Sequence, residues 1–524
     1  MGPLLISVGL LALSSHAIHQ EATKGPPMWP HPFSYQNGSE VVSVSPFLSI
    51  GLDLETNDIT AAFDRFKKIT FQHRVPKTNL VGQKIAKVVI TAKDANAPIQ
   101  LETDESYSLS VPSDPNQAIN ITAATQVGVM HALQTLSQLI IFDYSAKDYK
   151  VQGAPWEIVD KPRFKHREVL IDTARHFEPV SQLYRILDSM TYAKINVMHW
   201  HLTDSQSFPF DSPSYPRLSE MGAYSSRERY SIEDVEDVIE YARARGIRAV
   251  VEIDTPGHAA AMCAGHPEIC PSATCLQPLN PASNETLAVL SGLFNDLTGG
   301  VRGKGLFFDN MMHLGGDEVN TDCWTKTPSV ANWLKAKNMT TDDAYLYLVA
   351  QAQEIAHSQG RDVIGWEEIW NHFGTKLGKS TIIQQWLPGS KAAKEAVEQG
   401  YRVIWSTDGV WYLDGLKVTW ETMYQQEPCD GIDADKCAKY VIGGGGEMWG
   451  ETADASDVLQ TIWPRLAAIS ERLWSPRTVN NTDAAQPRIT AFRCLLNARG
   501  IPAAPVTNDV AREGPQEPGS CYAQ

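Results

Sequence analysis

The chain has 524 residues, of which 45 are basic and 61 acidic, for a formal net charge of −16. This length predicts two domains, one of them barrel-sized, and the acidic balance argues against nucleic acid or an anionic membrane surface as a partner. Hydrophobic residues make up 43% of the chain, enough for a large core, and most of the 14 tryptophans are expected there.

The N-terminus predicts a cleavable secretory signal over residues 1–17. An apolar run from Leu4 to Leu13 is followed by small residues, although no basic residue precedes it. No other stretch approaches the roughly 18 to 20 unbroken apolar residues of a membrane span, so no integral membrane segment is expected. We therefore expect a protein of the secretory pathway, either extracellular or in a lysosome or vacuole.

Glycosylation sequons and cysteines also fit a protein of the secretory pathway. Asparagine acceptors for glycosylation occur at five positions: Asn37, Asn120, Asn284, Asn338 and Asn480. Eight cysteines with no Cys-x-x-Cys pair favour disulfides over a metal centre. We expect two local pairs, one long-loop pair and one pair holding the tail: Cys263–Cys270, Cys429–Cys437, Cys275–Cys323 and Cys494–Cys521.

The first third of the chain predicts a small α+β domain over residues 18–162, an antiparallel sheet with a helix. Its β-like segments are 41–50, 86–91 and 105–111, and apolar residues at helical spacing follow over 128–141. This segment brings no acids or histidines together, so we interpret it as a support domain. Asp160 to Arg163 is the expected linker.

From there, strand and helix patterns alternate to residue 500, which predicts a (β/α)₈ TIM barrel over 163–500 and a tail over 501–524. The expected strands are 167–174, 195–202, 247–253, 306–314, 362–366, 381–386, 402–405 and 440–443. The expected helices are 181–194, 231–245, 285–297, 342–357, 391–398 and 458–473. The seventh unit is the weakest, because 413–439 shows no convincing helix.

The segment 311–320 is central to the functional prediction. Its two glycines are followed by adjacent carboxylates, Asp317 and Glu318. Neighbouring acids repel and need different partners, an arrangement suited to acid/base work on a glycosidic bond. The alternative is an Asp-Glu pair in a solvated loop.

Residues after the other predicted strands argue against that alternative, because the strand ends of a parallel barrel meet at one face. Each end carries a polar or aromatic side chain: Arg175 and His176, His201 and Asp204, Asp254 and His258, Trp366 and Glu367, Trp386, Tyr412 and Asp414, and Trp449 and Glu451.

Several motifs together resemble one known family. They are 171–177 (IDTARHF), 199–209 (HWHLTDSQSFP), 254–258 (DTPGH), 313–319 (HLGGDEV), 448–451 (MWGE) and 471–474 (ERLW). They are similar to motifs of the β-N-acetylhexosaminidases of glycoside hydrolase family 20. The resemblance implies a retaining exo-hydrolase that removes terminal β-linked GlcNAc or GalNAc from non-reducing ends of a glycan or chitooligosaccharide. In this family the 2-acetamido group of the substrate is the nucleophile and forms an oxazolinium ion.

The resemblance also implies a role for each residue at the rim. Glu318 would be the general acid and then the base, with a raised pKa, while Asp317 stays ionised and holds the acetamido N–H. Tyr412 would bind the acetamido carbonyl. The remaining expected roles are walls of the sugar pocket for Trp366, Trp386 and Trp449, hydroxyl binding for Arg175, Asp414 and Glu451, and tuning of Glu318 by His258, Asp254 and Asp204. For the tryptophans and His258 the alternative is ordinary core packing, and His176, His199, His201 and His313 are expected to be structural.

Two departures from the family pattern matter. Within the run of four glycines before Glu447, one glycine stands where many relatives have a glutamate, two positions earlier than Glu447. Glu447 is either a rim acid or a packed polar group. Gly415 follows Asp414, so no basic side chain is expected there, and neutral sugars should be preferred over 6-sulfated ones.

Two rival functions have different signatures. A chitinase-like endo-hydrolase would carry several acids at alternate positions of one strand, and a sugar-binding protein would need no proton donor. The resemblance calls for no metal and no organic cofactor, and a homodimer is left open.

Overall fold

The computed structural model describes residues 27–53, 56–300, 305–507 and 518. The predicted signal segment 1–17 therefore lies outside the described residues. Cys521, the second member of the predicted Cys494–Cys521 pair, and most of the tail also lie outside them.

The N-terminal domain contains one six-stranded sheet, with the strands β1 (Ser34–Leu52), β2 (Ile85–Asp94), β3 (Tyr107–Val111), β4 (Ile119–Thr125), β5 (Ile140–Asp143) and β6 (Asp148–Asp160). The strand order is β1-β2-β4-β3-β6-β5, and β1 also pairs with β6. The expectation of an antiparallel sheet is wrong in part. Strand β2 runs parallel to both β1 and β4, and the other pairs are antiparallel, so the sheet is mixed.

Two helices, α1 (Asn57–Thr70) and α2 (Gln126–Leu139), pack on each other and on this sheet. Apolar spacing predicts α2, whereas the sequence prediction contains no α1. Helix α1 buries Ile59, Phe63 and Phe66 at intervals of three and four residues, and Thr56 caps its N-terminus by accepting from the Ile59 N–H. The cap and the apolar spacing are both visible in the sequence.

Eight parallel strands close the second domain into a barrel, which confirms the predicted fold class. They are β7 (His166–Asp172), β8 (Val197–Thr203), β9 (Arg248–Ile253), β10 (Met311–His313), β11 (Asp362–Trp366), β12 (Ile382–Gln385), β13 (Arg402–Trp405) and β14 (Val441–Met448). Strand β10 is much shorter than predicted. Leu306 and Phe307 before it are buried in the core but belong to no strand, so apolar character alone misplaced its start.

The barrel helices in chain order are α3 (Val180–Tyr192), α4 (Arg217–Gly222), α5 (Ile232–Arg243), α6 (Met262–Gly265), α7 (Asn284–Phe294), α8 (Asp322–Lys326), α9 (Pro328–Lys337), α10 (Thr341–Ser358), α11 (Glu368–Phe373), α12 (Ala392–Glu398), α13 (Trp420–Tyr424), α14 (Ala434–Tyr440), α15 (Val458–Ile462), α16 (Arg465–Trp474) and α17 (Thr482–Ala498). The seventh unit contains two short helices, α13 and α14, which the prediction missed. The predicted closing helix is split around Pro464, which lacks an N–H to continue it.

A buried cluster of charges joins the two domains at the end of β6. Asp160 accepts hydrogen bonds from Tyr107 Oη at 2.6 Å, Lys194 Nζ at 2.9 Å and Trp474 Nε1 at 2.9 Å. Tyr107 belongs to the N-terminal sheet, and Lys194 and Trp474 belong to the barrel domain. The last residue of the sheet is therefore held from both sides, which fixes the support domain against the barrel.

Three predicted cysteine pairs are joined as disulfides in the structure, namely Cys263–Cys270, Cys275–Cys323 and Cys429–Cys437. The five sequon asparagines all lie at least partly at the surface, and their modification stays a prediction. Within the described part of the chain, no helix combines the length and apolar character that crossing a membrane requires.

The barrel interior holds a buried polar network that includes Glu447. Glu447 lies on β14 and is fully buried, with Oε1 at 3.3 Å from Gln384 Nε2. Burial and the charge of Glu168 raise its pKa well above the usual range. Burial alone would also raise the pKa of Glu168, but His199 and His166 bring it well below the usual value. Glu447 is therefore a protonated packed group in the barrel, while Glu168 is ionised.

We expect Glu447→Gln to preserve stability at mildly acidic pH and Glu168→Gln to destabilise the fold by about 3–5 kcal/mol, because the latter leaves buried histidines without their anion. A raised folded-state pKa contributes stability that is complete below the ordinary glutamate pKa of about 4.3 and is lost as pH rises toward the folded value. Melting temperatures measured at pH 5 and pH 8 should thus show the Glu447→Gln variant gaining on the wild type at the higher pH. Equal decreases in melting temperature in the two variants would contradict the assignment of Glu447 as protonated and Glu168 as ionised.

Candidate active site

The backbone after β10 turns sharply to place the adjacent acids. Gly315 and Gly316 have φ of 65° and 97°, and Glu318 has φ of 49°. A Cβ at Gly315 would lie 1.8 Å from Asp254 Oδ1, and the Gly316 N–H donates to that same oxygen at 2.9 Å. The two glycines are therefore required both for the left-handed backbone and for close approach to Asp254.

This turn gives the two adjacent carboxyls different surroundings. The Asp317 side chain is 11% exposed, whereas that of Glu318 is 60% exposed. His258 Nε2 lies between them, 3.5 Å from Asp317 Oδ2 and 3.4 Å from Glu318 Oε2. Asp317 Oδ1 is buried and has no hydrogen-bond partner among the described residues. One acid is thus enclosed with a free acceptor atom, and the other faces open space.

Asp254 and Asp317 form a buried acid pair. Burial and the charge of Asp317 raise the pKa of Asp254 well above its usual range. The pKa of Asp317 is also raised, because burial outweighs the charge of His258 and a hydrogen bond with Asp254, which both favour the ionised form. The two acids therefore compete for one proton, and Asp254, whose pKa is raised further, binds it more tightly.

His258 is a cation in this site, as is Arg175. Burial alone would lower the pKa of His258, but the negative charge of the Asp254–Asp317 pair and hydrogen bonds to Asp204 and Glu318 raise it to about 12. Its Nδ1 lies 3.2 Å from Asp204 Oδ2. Hydrogen bonding to this ring lowers the pKa of Glu318 below its ordinary value. The expected raised pKa of Glu318 is therefore wrong for the site as it stands, because a neighbouring cation outweighs the partial burial of an exposed carboxyl.

Arg175 connects the rim residues of three strands. Its Nη1 lies 3.1 Å from Asp172 Oδ2, and its Nη2 lies 2.8 Å from Asp204 Oδ2 and 3.8 Å from Glu451 Oε1. The guanidinium stacks over Trp449 at 5.1 Å from the ring centroid. These contacts fix the planar group at the cavity wall.

Four aromatic side chains form the other walls, and two of the indoles are held by acids. Trp366 Nε1 donates to Glu252 Oε1 at 2.9 Å, and Trp386 Nε1 donates to Glu368 Oε2 at 2.8 Å. The Trp366–Trp449, Trp386–Tyr412 and Tyr412–Trp449 ring centroids are separated by 5.8, 6.3 and 6.4 Å.

Together these groups enclose a cavity of about 360 Å³. The cavity is lined by all the predicted site residues except Asp204, namely Arg175, Asp254, His258, Asp317, Glu318, Trp366, Trp386, Tyr412, Asp414, Trp449 and Glu451. Asp204 is 1% exposed and lies behind the wall, where it holds both His258 and Arg175. Asp414 Oδ1 is buried without a partner in the described ranges, and burial raises the pKa of this acid to about 6.

Three further residues line the cavity: His201, Asp408 and Thr452. His201 was expected to be structural, and its ring bridges Glu252 and Asp204 at 2.6 and 2.8 Å. Asp408 lies three residues after the end of β13. It is therefore also a polar residue just after a strand, the pattern that predicted the other rim residues. Among supporting residues, Glu368 was missed because nothing in the sequence links it to Trp386.

Three groups of buried acids and histidines have ligand atoms within 4.8 Å of one another: His199, Glu252 and His313; Glu168, His199 and Glu447; and Asp254, His258 and Asp317. In each group the histidines lie beside acids at ion-pair distance. The charges of these clusters are balanced among the side chains themselves.

The chain belongs to glycosyl hydrolase family 20, whose catalytic domain matches residues 164–477, and residues 28–139 match a domain described as beta-acetyl hexosaminidase like. Its enzyme class is that of a β-N-acetylhexosaminidase. It is 44% identical to "Beta-hexosaminidase 1" of Arabidopsis thaliana over 99% of this chain and 98% of the relative, and 32% identical to "Beta-hexosaminidase subunit beta" of Homo sapiens over 96% and 93%.

Solved structures agree with this membership. A Flavobacterium johnsoniae chitobiase is 28% identical, with a TM-score of 0.79 over 91% of this chain and 73% of that one. A Vibrio harveyi GH20 exo-β-N-acetylglucosaminidase, solved in complex with N-acetylglucosamine, is 25% identical, with a TM-score of 0.78 over 91% and 78% of the two chains.

Replacing His258 by Gln should raise the pKa of Glu318, because a neutral side chain no longer favours the ionised carboxyl. The family resemblance implies that Glu318 is the general acid, which must be protonated when it acts, so the descending limb of the kcat/KM–pH profile should move to higher pH. The profile is measured with an aryl β-glycoside, and His73→Gln in the N-terminal domain serves as control. A descending limb that stays in place would show that His258 does not set this ionisation.

Proposed function

We propose that the chain removes terminal, non-reducing β-linked GlcNAc or GalNAc from glycans or chitooligosaccharides with retention of configuration, using the 2-acetamido group of the substrate as nucleophile. The observation that carries this proposal is the pairing of Asp317, buried with a free acceptor oxygen, with the exposed carboxyl of Glu318. A buried acceptor suits an amide N–H, and an exposed carboxyl at the cavity edge suits a leaving oxygen.

In the first step, the acetamido carbonyl oxygen attacks C1 as the C1–O bond to the leaving group breaks. Glu318 gives its proton to the departing oxygen, and the sugar closes to an oxazolinium ion. In the second step, Glu318 removes a proton from water and the hydroxyl adds to C1. The bond between C1 and the acetamido oxygen breaks, so the five-membered oxazolinium ring opens to give the free acetamido sugar. Two successive inversions at C1 give net retention.

Asp317 would accept a hydrogen bond from the acetamido N–H and offset the positive charge that develops on the five-membered ring. Its ionised form is favoured by the hydrogen bond with Asp254 and by the cation of His258. A dry, oriented anion stabilises such a charge far better than water does. Because Asp317 is tied to both neighbours, it is poorly placed to attack C1 itself, which favours the substrate amide as nucleophile.

Glu318 must be protonated when it acts, although His258 lowers its pKa. A sugar bound in the cavity would cover the exposed part of this side chain and remove it from water, which raises the pKa of a carboxyl. In the proposed mechanism, substrate binding would therefore exclude water from Glu318 and raise its pKa, so that it is protonated when it acts.

The remaining cavity residues would bind the sugar. Arg175 and Glu451 lie on one wall, and the buried free oxygen of Asp414 supports hydroxyl binding on another. Trp366, Trp386 and Trp449 would enclose the acetamido group and stack on the apolar sugar face, and Tyr412 would hold the carbonyl. The Vibrio relative that was solved with N-acetylglucosamine supports this ligand class. Three disulfides favour the secretory pathway, with an extracellular or lysosomal or vacuolar destination as the proposal.

Glu318→Gln should lower kcat on a GlcNAc glycoside by about 10²-fold or more, because the isosteric amide cannot donate the proton. Asp317→Asn should also lower kcat, since it removes the charge that opposes the developing cation. Initial rates with both variants and with Lys335→Ala, an exposed lysine on α9, test this pair of expectations. Full activity in the Glu318→Gln variant would refute the assignment.

Substrate changes test the nucleophile directly. A glucoside with a hydroxyl in place of the acetamido group has no carbonyl oxygen to attack C1, so its kcat/KM should be lower by several orders of magnitude. Comparable rates on the two sugars would exclude substrate assistance.

A 6-sulfated GlcNAc glycoside should react more slowly than the unsulfated one. Asp408, Asp414 and Glu451 all line the cavity, and they would repel a sulfate. The ratio of the two kcat/KM values measures this preference, and equal values would contradict it.

A further inference from the structure

A second cavity, of about 300 Å³, lies where the N-terminal domain meets the barrel domain. Residues of α1 and α2 line one side of it, and residues of α3, α5 and the segments that follow α5 and α17 line the other. It shares no lining residue with the active-site cavity. Ligand sites occur preferentially at such domain junctions. We call it the interdomain cavity.

Positive charge dominates the wall of the interdomain cavity. Its charged side chains are four bases and one acid, namely Arg65, Lys68, Arg245, Arg499 and Asp188. His131 also lines the cavity, but burial lowers its pKa, which favours the neutral ring. Bases therefore outnumber acids here, although the chain as a whole has a net charge of −16. A concave surface of this sign attracts anions.

The single acid of the cavity is already engaged by its neighbours. Asp188 Oδ1 lies 2.6 Å from Arg245 Nε, and Asp188 Oδ2 accepts a hydrogen bond from Tyr241 Oη at 3.0 Å. This carboxylate therefore balances the charge of Arg245 and leaves the other three bases without an acid of their own.

Those three bases form no ion pair within the part of the chain that the structure describes. Arg65 Nη2 donates to the Ala244 carbonyl oxygen at 2.6 Å, Arg499 Nη2 donates to Ser137 Oγ at 2.8 Å, and Lys68 is exposed. Burial and the charge of Arg245 lower the pKa of Arg65, and burial lowers the pKa of Arg499 to about 10. Both shifts show cations that an anion would stabilise.

The arginines are held in place by rings. The Arg499 guanidinium lies 4.6 Å from the Tyr192 ring centroid, and that of Arg245 lies 3.2 Å from the Tyr241 centroid. A guanidinium with a fixed plane can bind two oxygens of a tetrahedral oxyanion at once. The remaining wall includes apolar side chains, namely Ala62, Ile69, Met130, Leu133 and Ile195. These would contact the uncharged part of a ligand.

From the unpaired cations and the apolar side chains in one cavity, we infer that the interdomain cavity binds a small organic anion, the phosphate or sulfate ester of an apolar or ring-shaped group. The inference does not depend on the proposed hydrolysis. Lys68 and Arg65 belong to the N-terminal domain, and Arg245 and Arg499 belong to the barrel domain, so such a ligand would contact both domains. Its binding would stabilise the folded protein by mass action.

The test measures the Kd of phenyl phosphate and of phenyl sulfate on the full chain by isothermal titration calorimetry, with benzyl alcohol as the neutral probe. At least one ester should bind and raise the melting temperature, and the alcohol should do neither. Lys68→Ala and Arg499→Gln should each raise the Kd of the bound ester about 10-fold, because each removes a hydrogen bond to a charged group. Added sodium chloride should also weaken binding.

Lys67→Ala is the matched control. Lys67 is the neighbouring lysine on α1, but its Nζ pairs with Asp64 at 2.9 Å and it does not line the cavity. This variant should keep the wild-type Kd, although it loses the same charge as Lys68→Ala.

The ester with the lower Kd identifies the head group, and either preference supports the site. The inference is overturned if neither ester binds, if Lys68→Ala and Arg499→Gln keep the wild-type Kd, or if Lys67→Ala weakens binding as much as Lys68→Ala. Because Lys68 is exposed, its variant keeps the experiment informative even if Arg499→Gln disturbs folding.

Discussion

The site depends on one constraint: two consecutive carboxyls must face one cavity and yet differ in charge state. An extended strand would point Asp317 and Glu318 to opposite faces. Left-handed backbone at Gly315, Gly316 and Glu318 removes this difficulty, because it turns both side chains toward His258. The cost is strain at a non-glycine residue, and such strain persists only where the surroundings determine the conformation. Here the surroundings are Asp254 and the cation of His258.

His258 in turn exists as a cation only because acids surround it. Asp204 holds one ring nitrogen, and Asp317 and Glu318 lie by the other. Arg175 shares the Asp204 oxygen at 2.8 Å, so a single buried carboxylate orients both cations of the site. Asp204 therefore contributes to the site without lining the cavity, and its effect on Glu318 passes through the imidazole.

The sequence predicted the barrel and nearly all the cavity residues, because both follow from local patterns. Apolar strands show where the wall lies, and parallel strands bring their ends together, so Tyr412 and Trp449 could be placed at one rim. The order of the pKa values could not be predicted in this way. It depends on which of two adjacent carboxyls is enclosed, and exposure is a property of the folded turn. The mixed N-terminal sheet was missed for a related reason: strand direction is set by tertiary pairing, which short apolar segments do not encode.

The polar network inside the barrel has a consequence for the cavity as well. Burying Glu252 among histidines brings a desolvation cost, which an apolar core would avoid. Its two oxygens, however, hold the Trp366 indole N–H at 2.9 Å and the His201 ring at 2.6 Å. Trp366 is a wall of the cavity, and His201 reaches Asp204, which orients His258 and Arg175. A single interior acid thereby positions both the aromatic wall and the charged one, and this rigid support of the site accounts for placing charge where hydrophobic packing would have been more stable.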